Sequence, residues 1–124
     1  RIRDAGIGYL AYSPLGLGIL TGAINEETEF HPQDFRGGPG NSRPQQFRPD
    51  KMRRILQKVE RLGAMAKGRN TSPATLALRW VVEQGGVTAA IAGSRSPNHV
   101  RSNAEAGDLD LDEAALSEID SIFS

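Results

Sequence analysis

IGYLAYSPLGLGILTG, residues 7–22, begins with a short apolar run, Ile7 to Tyr12, preceded by Gly6 and closed by Ser13-Pro14. The run's length, one β-branched residue and two tyrosines predict a strand over 7–12, buried on both faces. Gly16, Gly18 and Gly22 then fall within seven residues. That spacing argues against a regular helix and predicts a loop with close backbone approach. VTAAIA, residues 87–92, is a second short apolar run, and again a glycine follows, Gly93.

What lies between the two runs sets their relation. Residues 23–49 are polar and irregular, and RGGPGNSRP (36–44) cannot hold a helix or a central strand. The whole of 13–49 reads as a loop, and its long irregular part is of a kind found as lids, binding loops or disordered segments. A helical period follows over 50–68, with Met52, Ile55, Leu56, Val59, Leu62 and Ala66 on one face. Asp50 is its expected N-cap, and Gly68 or Asn70 its stop. Ser72-Pro73 opens a helix over 72–85 carrying Leu76, Ala77, Trp80 and Val81. Ser96-Pro97 opens another over 97–106. Asp112 caps the last, 112–123, where Leu111 and Leu116 have the spacing of a hydrophobic staple. Two strands separated by helices pair in parallel through a crossover, an α/β organisation. Two such strands leave both sheet edges open, so the sheet is expected to be completed by residues outside this chain.

Composition narrows the classes. The chain has 124 residues, and a complete (β/α)8 barrel needs roughly 250. Fifteen basic residues balance fifteen acidic ones, against a globally charged nucleic-acid binder. There is no cysteine, so disulfides and thiolate zinc sites are excluded. No run approaches the roughly 18 apolar residues of a membrane span. No signal peptide is visible, and a cytoplasmic location is expected. The chain opens on Arg1 rather than methionine, which suggests a processed product or an excerpt.

The candidate chemistry sits at the two strand exits. Parallel sheets place ligands at strand C-termini, and helix N-termini attract phosphate. Gly93 lets the backbone approach, Ser94 and Ser96 offer hydroxyls, and Arg95 offers a fork of donors. His99 and Asn103 follow at i, i+4 on the next helix. The plainer alternative is a solvated, capped helix start. The glycines at 16 and 18 do not make G-x-G-x-x-G, so the dinucleotide fingerprint fails on spacing. No catalytic group is assigned: His31 lies in the irregular loop, and His99 has no carboxylate at fixed spacing. Asp108, Asp110 and Asp112 lack the glycine and terminal glutamate of a calcium loop and read as turn and cap acids, so no metal site is expected. Residues 43–69 hold nine Lys or Arg against two acids, without interleaved aromatics. That is an outer helix face rather than a nucleic-acid contact. Asn70-Thr71-Ser72 fits the glycosylation sequon by chance.

The chain resembles the C-terminal part of an aldo-keto reductase. The resembling pieces are GIGYLAYSPLGLGILTG (6–22), DFR (34–36), VERLGAMAKGRNTSPATLALRWVVEQG (59–85), AIAGSRSPNHVRSNAEA (90–106) and LDEAALSEID (111–120). The resemblance implies part of a TIM barrel, with 7–12 as strand seven and 87–92 as strand eight. It implies an NADP-dependent oxidoreductase, using NADPH or sometimes NADH to reduce aldehydes or ketones to alcohols. Carried over by position, Tyr12 would stack on the nicotinamide. Ser13, Leu15, Gly16 and Gly18 would line the pyrophosphate loop. Gly93, Ser94 and Arg95 would hold the adenosine 2′-phosphate, with His99 where Gln or Arg usually stands, and Asn103 would bond the adenine. The loop 24–50 would help close over cofactor and substrate. Ala92 departs from the family's proline, and Leu17 from a frequent Arg or Gln. The family's catalytic Asp, Tyr, Lys and His lie on earlier strands and have no counterpart here. The implied partners are a small carbonyl substrate and the N-terminal part of the barrel, with no nucleic acid and no membrane. Two alternatives stand beside this: a non-catalytic, cofactor-binding or regulatory subunit of the same fold, and a poorly folded remnant.

Overall fold

The structure, a computed structural model, describes residues 4–39 and 42–124. Arg1 to Arg3, and the Gly40-Asn41 pair within the expected loop 13–49, lie outside the described residues. Strand β1 (Tyr9–Tyr12) pairs in parallel with β2 (Val87–Ile91), Tyr12 opposite Ile91. The register slips between Tyr9 and Leu10. Just before it, a Cβ at Gly8 would lie 2.6 Å from Thr88 Oγ1, so a larger residue there would make the Thr88 side chain turn aside.

Between the strands lie α1 (Pro49–Gly68) and α2 (Pro73–Glu83); α3 (Pro97–Ala104) and α4 (Glu113–Phe123) follow β2. Helix α1 starts at Pro49 with Arg48, not Asp50, at the cap position, and Asp50 instead sits in the first turn, where its charge suits the helix dipole. Past its end Asn70 takes φ 53°, a left-handed turn that asparagine tolerates. The Ser72 hydroxyl accepts from Thr75 N at 3.0 Å, and Asp112 accepts from Ala115 N at 2.8 Å, each capping its helix. Helix α3 stops at Ala104, and Glu105–Gly107 tightens into a 3-10 turn.

Two expectations need correction. The strand over 7–12 is not buried on both faces. Ala11 is buried, but Leu10 is 57% and Tyr12 79% exposed, and Ile91 beside Tyr12 is also exposed. Helix α2 packs on one face of the ribbon, and among the described residues nothing covers the other. The loop 13–49 is not structureless: Gly16–Thr21, Phe35–Gly37 and Gln45–Phe47 are 3-10 turns.

The core lies among the helices rather than under the sheet. Leu62 and Ala66 of α1, Leu76 and Ala77 of α2, and Ala115, Ile119 and Ile122 of α4 form one buried cluster, with Leu15 and Leu20 packed against it. A second cluster joins Ile19, Ile24, Phe47 and Met52. The turn after β1 is therefore anchored from beneath by both clusters. No described helix is long and apolar enough to cross a membrane. A ribbon covered on one face leaves much of its apolar surface in water. Residues 1–124 heated alone are expected to lose circular dichroism over a broad range; a sharp transition in a monomer would contradict this.

Candidate functional site

The parallel pairing puts both strand exits on one side of the molecule. They meet along a groove of about 720 Å³. Eight of the ten residues expected there line it: Ser13, Leu15 and Gly18 from the first exit, and Gly93, Ser94, Arg95, His99 and Asn103 from the second. Tyr12 and Gly16 are not among its lining, and Tyr12, next to Ser13 in the chain, is largely exposed.

The first exit is built from left-handed backbone. Ser13, Gly16, Leu17 and Gly18 all have positive φ, of 50°, 57°, 60° and 95°. For leucine this region costs roughly 1–2 kcal/mol. Bonds fold the turn on itself: Gly16 N donates to Ser13 O, while Gly18 N and Leu20 N both donate to Leu15 O. Ile19 is buried below.

The second exit is open and cationic. A Cβ at Gly93 would meet nothing within 4 Å, so the strand leaves room beside its backbone. The Ser94 hydroxyl accepts from Ser96 N at 3.1 Å. Ser96 stands at the cap position of α3 but makes no side-chain cap bond, unlike Ser72 in α2. The first-turn amides of α3 are therefore left without a side-chain acceptor, the condition under which a helix start receives an anion. The side chains of Arg95, His99 and Asn103 form no hydrogen bond or ion pair among the described residues, so their donors are available.

Sequence reasoning missed Arg36. It lies within the DFR tripeptide, yet its guanidinium also lines the groove. Asp34 grips it as a fork, Nε to Oδ1 at 3.0 Å and Nη2 to Oδ2 at 2.6 Å, and also accepts from Arg36 N at 2.9 Å. Nη1 donates to Leu17 O at 3.1 Å, nineteen residues back. The guanidinium sits 4.9 Å from the centre of the Phe30 ring, and Phe30 meets buried Phe47 edge-on. The local signal was the Asp-x-Arg turn; the reach to Leu17 had none. Asp34 neutralises Arg36, so Arg95 is the cation of the lining that carries no carboxylate partner among the described residues, and it suits an anionic ligand. Among the described residues no cluster suited to a metal occurs.

Comparison with known proteins places the fold. A profile of the Aldo/keto reductase family matches residues 2–124. The chain belongs to the aldo/keto reductase family. It is 31% identical over 117 residues to the aldo-keto reductase str7 of Strobilurus tenacellus, covering 94% of this chain and 33% of that one. It is 28% identical over 117 residues to aldo-keto reductase yakc [NADP(+)] of Schizosaccharomyces pombe, covering 94% and 33%. With the NADH-specific methylglyoxal reductase of Escherichia coli it shares 29% over 112 residues, 90% and 32%. The solved glycerol dehydrogenase AKR11B4 of Gluconobacter oxydans superposes with a TM-score of 0.82 at 28% identity, over 97% of this chain and 35% of that one. The chain thus spans about a third of its relatives, and its α/β unit is part of a TIM barrel.

The Arg36 side chain, through its hydrogen bonds, holds the Asp34 carboxyl at about 2, below its ordinary 3.8. A depressed carboxyl stabilises the fold in full above its unfolded value, and the benefit is lost as pH falls through the folded one. The Arg36 Nε–H resonance is therefore expected to hold steady above pH 3.8 and to move only towards about pH 2. Asp34→Asn should abolish that step.

Proposed function

We propose that the complete protein is an NADP-dependent oxidoreductase reducing aldehydes or ketones to alcohols, and that this chain supplies its grip on the cofactor. The observation that carries the reading is the convergence of the two strand exits on one cationic groove. The residues present fit a phosphorylated dinucleotide. The uncapped start of α3 and the free Arg95 suit the adenosine 2′-phosphate, with Ser94 and Gly93 beside it. His99 and Asn103 lie further along α3 for the adenine end. Ser13, Leu15, Gly16 and Gly18 form the turn that would take the diphosphate. Tyr12, with its ring largely in solvent, offers a face for the nicotinamide.

The bound cofactor supplies the hydride. This chain's part is to hold and orient it, while the segment 24–50 shields it from water. The acid–base groups of the family resemblance belong to earlier strands, so proton transfer is assigned to the rest of the barrel.

Relatives named for NADP(+) and for NADH both match this chain, so the preference rests on Arg95. A charged hydrogen bond is worth about 1.5–3 kcal/mol, or roughly ten- to over a hundredfold in affinity. Arg95→Ala in the complete protein should weaken NADPH by that factor and NADH by less than about twofold. Equal losses would defeat the assignment. Tight binding with no carbonyl reduction would favour the non-catalytic alternative.

A further inference from the structure

Arg36 stands where three independent pieces of structure meet. Behind it, Phe30 packs on Phe47, which is almost wholly buried. Beside it, Asp34 fixes the plane of its guanidinium through two side-chain contacts. In front, its Nη1 holds the carbonyl of Leu17, whose φ of 60° and ψ of 29° interrupt the Gly16–Thr21 turn. A left-handed leucine persists only where its surroundings over-determine it. The Leu17 side chain packs against the cluster of Ile19, Ile24, Phe47 and Met52, and its carbonyl is tied across nineteen residues to Arg36. The next residue, Gly18, is also left-handed, and a Cβ there would lie 3.4 Å from Arg36 Nη1.

We propose that Arg36 is a positioning residue. By bonding Leu17 O while locked to Asp34, it holds the Leu15–Gly18 turn in the shape that receives the nucleotide's diphosphate, and fastens the Asp34–Arg36 stretch to that turn. This rests on the cofactor reading of the groove. It assigns Arg36 a role through another residue, and the DFR tripeptide becomes a clasp between the lid segment and the cofactor turn. Lysine cannot replace it, because one ammonium cannot present a fork to Asp34 and still reach Leu17.

Two measurements on the complete protein test this with Arg36→Ala, Arg36→Lys and Asp34→Asn. The first is amide exchange of Gly18 and Leu20, both bonded to Leu15 O, in the nucleotide-free protein. All three variants should exchange these amides faster, by about tenfold, with core amides unchanged. The second is the rate of NADPH release, read by its fluorescence, expected to rise by about tenfold in all three. If Asp34→Asn and Arg36→Lys keep wild-type release while Arg36→Ala does not, Arg36 is only a cation for the phosphates and the proposal fails. Unchanged exchange at Gly18 and Leu20 in every variant also overturns it. If the unaltered protein binds no NADPH, the cofactor reading fails, and the exchange result still decides whether Arg36 shapes the turn.

Discussion

The parallel pairing of two short strands is the constraint on which the rest depends. It places Tyr12 beside Ile91, so both chains leave the sheet in the same direction. A polypeptide that leaves one strand and returns parallel to it must cross over, and α1 and α2 are that crossover. Had the strands run antiparallel, Ser13 and Gly93 would leave opposite ends of the ribbon and no common groove would form.

The helices convert this direction into a fixed geometry. Most of the buried side chains belong to α1, α2 and α4, and the turn after β1 reaches into that mass with Ile19 and Leu20. The two exits differ in how they are made. The first is bonded within itself and to Arg36, with its backbone bent into left-handed dihedrals. The second is sparse, with a glycine beside open space and an uncapped helix start. An internally bonded turn thus faces an open mouth that carries Arg95 across the groove.

The elements that could be read from the sequence were those set by local chemistry. The apolar period of α1, the Ser72 and Asp112 caps and the two glycine-ended apolar runs all follow from neighbours a few residues apart. Whether a strand is covered depends on what packs against it, and an alternation over four residues carries too little information to tell. Leu10 and Tyr12 read as buried, and nothing among the described residues packs over them, in a chain that spans about a third of its relatives. Ser96 reads as a cap because Ser-Pro usually is one, yet its side chain makes no such bond while Ser94 takes its amide. The groove residues were legible through their glycines and their phosphate-suited side chains. Arg36 was not, because its bond to Leu17 exists only once the chain has doubled back.

The ribbon of β1 and β2 is bonded along its inner seam, and among the described residues both outer rims are bare. Main-chain amides and carbonyls at a rim accept an extended strand with little regard for its side chains. A piece with two such rims, parallel and pointing the same way, cannot satisfy both by joining one copy of itself across a two-fold axis. Head-to-tail addition leaves a fresh rim after every step, so growth has no natural end short of a closed ring. Ring closure is what the full eightfold barrel achieves within one molecule. A circular seam thus removes both rims at once, which no pairing of separate copies does.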